Sequence, residues 1–174
     1  MTEIVSRLWS SEGFQDDPYL HADTLEEAGD AAAVIIPLAA WLALDEKTCW
    51  QTNRRIGVAV TTGESIEPLL AHLGNIPLIA LHFPAFNDGR SYSKAELLRN
   101  RHGFGGELRA FGDVLIDQVA FMLRTGFDTL EVVHGVTLDR LGSKTLYDTP
   151  YYYQPGRGSK QQSGTFAWRR IPAN

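Results

Sequence analysis

Short apolar runs alternate with segments of helical pattern along most of the chain. Five runs have the length of strands and are rich in Val, Ile, Leu, Ala and Phe, as in strands that are covered on both faces. They lie at Ala33–Ile36, Ile56–Val60, Leu78–Phe83, Glu107–Phe111 and Thr129–Val133. The intervening segments predict helices near Leu25–Gly29, Ala39–Asp45, Ile66–Leu73, Ser93–His102 and Asp113–Thr125, with a further short helix after Thr137. This alternation predicts an α/β fold: a mainly parallel sheet of about five strands with intervening helices, resembling a partial β/α barrel.

Several helix ends carry local signals. Ser93 and Glu96 have the S-x-x-E spacing of a capping box, which predicts a helix that begins at Ser93. Asp113 is a candidate cap for the following helix, and Gly126 can end that helix in a left-handed conformation. Pro68 requires a position in the first turn of its helix, because proline has no amide hydrogen to donate.

The chain length fits one domain, and the composition changes near its end. We expect a single α/β domain over residues 1–148, because 174 residues suffice for one full hydrophobic core. Residues 149–174 contain a Gly/Ser/Gln-rich stretch, which predicts a partly mobile tail. Aromatic residues at Tyr151–Tyr153 and Phe166–Trp168 suggest either a docking surface within this tail or packing against the domain itself.

Charge and cysteine content narrow the class of protein. The net charge is −5, which argues against nucleic-acid binding because a phosphate backbone attracts a basic surface. No apolar run is long enough for a bilayer, and the first residues lack a secretory pattern, so we expect a cytoplasmic protein that does not bind membranes. The single cysteine, Cys49, excludes an internal disulfide, and the five histidines lack metal-ligand spacing, so no metal site is predicted.

The segment that follows the third predicted strand is a candidate ligand site. Ligands bind at the carboxyl ends of parallel strands, where loops and helix starts converge. A glycine turn, a guanidinium and several hydroxyls occur here together, in a segment with local positive charge: Asp88, Gly89, Arg90, Ser91, Tyr92 and Ser93. An oxyanion could bind these donors, with Arg90 as its main partner. The alternative is an internal Asp88–Arg90 ion pair that stabilises the turn.

Polar residues within the apolar runs form a second candidate site. His82, Arg109 and Glu131 lie on successive predicted strands, where charged groups must be paired or face a cavity. If the strands curl as in a partial barrel, these three side chains could meet at its interior and act with Asp88 as catalytic residues. The alternative is a structural network of Arg109 with Glu107 or Glu131.

The residues Phe83–Arg99, Gly106–Gln118 and Arg124–Asp128 together resemble a bacterial family of unknown function, DUF934. The resemblance is strongest over about residues 78–131. It implies an association with assimilatory sulfite reduction, because members are described as probable oxidoreductases whose genes lie near those of sulfite reductase. The expected partner is therefore sulfite reductase or another protein of the sulfate-assimilation pathway.

Two functions remain open at this point. The first is an accessory protein of assimilatory sulfur metabolism that binds a small oxyanion. The second is an oxidoreductase or other enzyme with a barrel-like active site. No dinucleotide-binding or P-loop motif is present, so the cofactor of such an enzyme is unknown.

Overall fold

The computed structural model of the chain describes residues 6–45 and 53–143. Eight strands form one sheet: β1 (Arg7–Ser10), β2 (Gly13–Gln15), β3 (Leu20–His21), β4 (Ala33–Pro37), β5 (Arg55–Val60), β6 (Leu78–Phe83), β7 (Glu107–Gly112) and β8 (Thr129–Val132). Within the described ranges four α-helices accompany them: α1 (Leu38–Leu42), α2 (Arg90–Glu96), α3 (Ile116–Thr125) and α4 (Gly135–Gly142). Cys49 and the aromatic residues of the predicted tail lie outside the described residues. No helix in the described part is long and apolar enough to cross a membrane.

The sheet confirms the α/β class but is larger and more mixed than predicted. Its strand order is β2-β1-β8-β7-β6-β5-β4-β3, in which β3 to β8 run parallel and β1 pairs antiparallel with both β8 and β2. Strands β4 to β8 coincide with the predicted runs. The prediction of about five strands missed β1, β2 and β3, because two to four residues are too few to show strand periodicity.

The two faces of the sheet differ in polarity. Alternate residues such as Ile79, Leu81 and Phe83 point to the helix-covered face, where the main core packs. The opposite face carries a smaller apolar cluster of Ile35, Leu78 and Ala80, together with buried polar side chains from β7 and β8. The apolar face therefore holds the hydrophobic core, and the opposite, partly polar face is available for a ligand site.

The parallel part of the sheet is curled into half a barrel. Strands β3 and β8 are five strand spacings apart, about 24 Å in a flat sheet. Nevertheless His21 of β3 and Glu131 of β8 are hydrogen-bonded to each other at 2.8 Å. The second face of the sheet is therefore concave, and residues far apart in strand order meet there.

Several predicted helices were wrong in type or extent. Residues 25–29 form turns, and Glu67–His72 is a 3-10 helix that holds Pro68 in its first turn, as predicted. Helix α2 begins at Arg90, so the predicted capping box at Ser93 is wrong; a π-helical turn over Leu97–Arg101 continues the helix. The lack of a residue with a capping side chain at its start left this boundary without a sequence signal.

Of the two predictions for the ends of α3, the one for its start was wrong and the one for its end was confirmed. Asp113 does not cap α3, which begins three residues later, and the Leu115 amide instead donates to Oε1 of Gln118 at 3.3 Å. Gly126 ends the helix with a φ of 106°, which confirms the predicted left-handed residue. A Cβ at Gly126 would also lie 2.5 Å from Cγ of Arg99, so both conformation and space favour glycine there.

Candidate functional site

A fully buried guanidinium lies at the centre of the concave face. Arg109 of β7 donates to Glu107 at 2.9 Å, to Asp17 at 2.8 Å and to Glu131 at 3.0 Å. Arg109 reaches all three because Glu107 shares its face of β7, Glu131 projects from the neighbouring strand, and Asp17 lies just before β3. This arrangement is the structural network that the sequence left open as an alternative.

The network keeps its groups charged in spite of their burial. Burial alone would lower the pKa of Arg109, but attraction from Glu107 and Asp17 outweighs it and raises that pKa. Burial would raise the pKa of Glu131, whereas its hydrogen bonds with His21 and Arg109 hold that pKa below its ordinary value. Glu131 is therefore a carboxylate at neutral pH.

Glu131 links this buried network to a surface histidine. Nε2 of His21 lies 2.8 Å from Oε1 and 3.0 Å from Oε2 of Glu131. The His21 side chain is 40% exposed, whereas that of Glu131 is 9% exposed. A carboxylate fixed from below by Arg109 thus orients an imidazole that solvent and small molecules can reach.

A cleft of about 440 Å³ opens beside this pair at the carboxyl ends of β7 and β8. It is lined by His21, Phe111, Gly112, Asp113, Glu131 and Val133. The ring of Phe111 is 5.4 Å from that of His21 and 4.9 Å from that of His82. The volume is in the range of small-molecule sites, and the location is where parallel sheets usually bind ligands.

Gly112 is required at the floor of this cleft. Its φ of 100° is a left-handed conformation. A Cβ there would lie 2.4 Å from the carbonyl oxygen of Phe83 and 2.8 Å from Cδ2 of His82. Only glycine permits β6 and β7 to approach at this point, and the approach places the His82 ring beside Phe111.

The predicted oxyanion segment has a different local structure. Nε and Nη2 of Arg90 donate to the two carboxylate oxygens of Asp88 at 2.9 and 2.7 Å, and Nη2 also donates to Thr62. These hydrogen bonds lower the pKa of Asp88. The internal ion pair is therefore present, and an anion at Arg90 would have to compete with the Asp88 carboxylate.

The other residues of this segment divide between structural and exposed positions. Ser91 is buried and donates to the carbonyl of His82 at 2.6 Å, and the Tyr92 ring packs 4.9 Å from that of Phe83. Burial raises the pKa of Tyr92 to about 12. Gly89 precedes the first residue of α2, and Ser93 lies within that helix. Of the predicted ligand contacts, Arg90 and Gly89 are the exposed ones nearest the helix start.

The structure places three of the four predicted catalytic residues on one face of the sheet, and two of them, Arg109 and Glu131, are in contact. His82, Arg109 and Glu131 share the concave face, whereas Asp88 lies on the loop after β6 and is paired with Arg90. Sequence reasoning missed Asp17 and His21, which are 92 and 110 residues from their partners. No local pattern could have identified them, because β3 is only two residues long.

Nearby acidic residues differ in role. Asp113 lines the cleft, whereas Asp117 is exposed on the first turn of α3. Among the described residues, no group of three or more His, Cys, Asp or Glu side chains is arranged to hold a metal ion.

The fold and the site together define an α/β half-barrel with a polar network on its concave face and a cleft at the carboxyl edge of its strands. A family model described as "Bacterial protein of unknown function (DUF934)" matches residues 57–163, and the chain belongs to this family. The match includes the cleft residues on β7 and β8 and confirms the resemblance found in the sequence. A comparison with curated proteins finds no match.

Proposed function

We propose that this chain is an enzyme that transfers protons on a small molecule bound in the cleft, with His21 as the acid–base group. The observation that carries the proposal is the series Arg109–Glu131–His21, which extends from a fully buried guanidinium to a partly exposed imidazole. Buried charges fixed behind an accessible imidazole are typical of sites that perform acid–base chemistry.

The hydrogen bond from His21 to Glu131 assigns roles to the two ring nitrogens. A neutral imidazole paired with a carboxylate carries its proton on the paired nitrogen, here Nε2. Nδ1 is then the acceptor, and it has no hydrogen bond to any residue within 6–45 or 53–143. In the proposed reaction His21 takes up a proton from the bound molecule at Nδ1 and then returns it, while the hydrogen bond from Nε2 to Glu131 holds the ring in place.

Isotope incorporation tests this proposal without requiring that the substrate be identified first. The protein is incubated with a cell metabolite extract in D₂O or in ¹⁸O-water, and the products are analysed by mass spectrometry. Proton transfer to carbon introduces deuterium, and acid–base-assisted hydrolysis introduces ¹⁸O. His21→Gln should reduce the rate of incorporation by about 10²–10⁴-fold.

His102→Gln is the matched control, because His102 is an exposed histidine away from the cleft. It should retain the wild-type rate. The proposal is wrong if wild type labels no metabolite, or if His21→Gln labels the same metabolite at the same rate.

We further propose an accessory role in assimilatory sulfite reduction, which rests on the family resemblance and on exposed apolar side chains at the carboxyl edge. Phe86 is 60% exposed on the loop after β6, and Val136 is 55% exposed on the segment after β8. Side chains of this kind are suited to contact with another protein, such as sulfite reductase. The oxyanion predicted at Arg90 belongs to this second proposal.

Growth and co-purification test the accessory role. A deletion strain should grow on sulfide but not on sulfate or sulfite, because sulfite reductase catalyses the step between sulfite and sulfide. The double variant Phe86→Ser and Val136→Ser should lose co-purification with sulfite reductase, whereas Leu97→Ser, an exposed change on α2's continuation, should retain it. Equal growth on all three sulfur sources would exclude the role.

A further inference from the structure

The cleft contains one carboxylate, Asp113, that no other side chain in the described part of the chain neutralises. Glu131 is held by Arg109 and His21, but the side chain of Asp113 makes no hydrogen bond with any residue in the described ranges. The backbone amide of Asp113 donates to the carbonyl of Phe83 at 2.7 Å, which fixes the position of the residue. Asp113 can therefore accept hydrogen bonds from a bound molecule.

The rest of the cleft offers a flat apolar surface. Phe111 and Val133 line it, and the Phe111 ring is flanked by the rings of His21 and His82. Gly112 adds only backbone atoms to the lining between Phe111 and Asp113. These features suit a planar hydrocarbon or aromatic body.

The charge of the lining disfavours anions. Two carboxylates and no lysine or arginine line the cleft within the described part of the chain. The Arg109 guanidinium, which contacts the lining residue Glu131, is fully buried and is shared among three carboxylates. A cation would be attracted both by Asp113 and by the face of Phe111.

We infer that the cleft binds a small organic cation, with a flat apolar body against Phe111 and an ammonium or amidinium group at Asp113. The inference rests on the proposed function, because it names the substrate class of the same site. It differs from the oxyanion predicted at Arg90 in both location and charge. In this arrangement the bound molecule lies beside His21, so that a proton can pass between the molecule and the imidazole.

A three-probe titration tests the charge preference. Benzylammonium, benzyl alcohol and benzoate share one ring and differ in the charge of the head group. Binding is followed by the NMR shifts of the Gly112 and Asp113 amides. Benzylammonium should bind about tenfold more tightly than benzyl alcohol, because its head group adds a charge-assisted hydrogen bond. Benzoate should bind more weakly than both.

Two variants locate the preference. Asp113→Asn should abolish the tenfold preference while leaving the affinity for benzyl alcohol unchanged. Asp117→Asn removes an exposed carboxylate four residues away on α3 and should keep the preference. The inference fails if benzoate binds as tightly as benzylammonium, if Asp113→Asn retains the preference, or if no probe shifts these amides.

The titration measures binding, whereas isotope incorporation measures turnover, so the two proposals can fail separately. Selective benzylammonium binding with no labelled metabolite would retain the cation site and exclude the enzyme. Labelling that depends on His21, together with a preference for benzoate, would retain the enzyme and exclude the cation site.

Discussion

Replacement of Arg109 by methionine tests the energetics of the concave face most directly. Asp17 and Glu131 both contact Nη1 of Arg109, at 2.8 and 3.0 Å, so these two oxygens cannot be farther apart than about 6 Å. Two carboxylates at that separation repel each other by about 3 kcal/mol at an effective dielectric constant near 20. Arg109→Met should therefore reduce the free energy of unfolding by about 3 kcal/mol at pH 7, within the range of about 3–5 kcal/mol that is typical when one partner of a buried pair is removed.

The pH dependence distinguishes lost electrostatics from lost packing. In wild type the pKa of Glu131 is lowered, so its stabilisation is present above the unfolded-state pKa and is lost only as pH falls through the lower folded value. In the variant, repulsion raises the carboxylate pKa values, so protonation relieves the repulsion as pH falls from 7 towards 5. The difference in free energy of unfolding between wild type and Arg109→Met should therefore become smaller as the pH is lowered from 7 to 5.

Urea unfolding at pH 7, 6 and 5 provides the measurement, with the midpoint and slope fitted separately. Arg101→Met is the matched control, because Arg101 is exposed on the π-helical turn; its effect should be within about 0.5 kcal/mol of wild type. A loss below about 1 kcal/mol for Arg109→Met, or a loss that does not change with pH, would refute the electrostatic account.

Three further outcomes follow from the geometry. Gly112→Ala should destabilise the protein by about 2 kcal/mol or more, because the cost of the left-handed φ is added to the cost of the overlap with Phe83 and His82. A thermal melting curve close to that of wild type would contradict this and would show that β6 and β7 can move apart at this point. Arg90→Ala should lose sulfite and sulfate binding if the oxyanion site exists, and isothermal titration of both proteins decides this while thermal melting checks the fold. Tyr92 should stay protonated at about pH 10, where an exposed tyrosine is half ionised, and the ultraviolet difference between wild type and Tyr92→Phe reports its titration.

The positions of the main strands could be predicted because burial on both faces leaves a local trace. Strands β4 to β8 are continuous apolar runs of four to six residues, and the polar interruptions at His82, Arg109 and Glu131 correctly marked the concave face. Helix starts were less predictable. Helix α2 begins at Arg90 with no side-chain cap, so the S-x-x-E pattern at Ser93 pointed to a start within the helix.

Some residues of the candidate site could likewise be predicted from the sequence, whereas others were placed only by the tertiary structure. By itself the sequence determined the α/β class, the positions of the parallel strands along the chain and the face on which Glu107, Arg109 and Glu131 project, because alternation along a strand is a local property. The curvature of the sheet was decided only in the tertiary structure, since it depends on the packing of the whole helix layer. That curvature brings His21 to Glu131 across 110 residues of sequence and thereby creates the cleft.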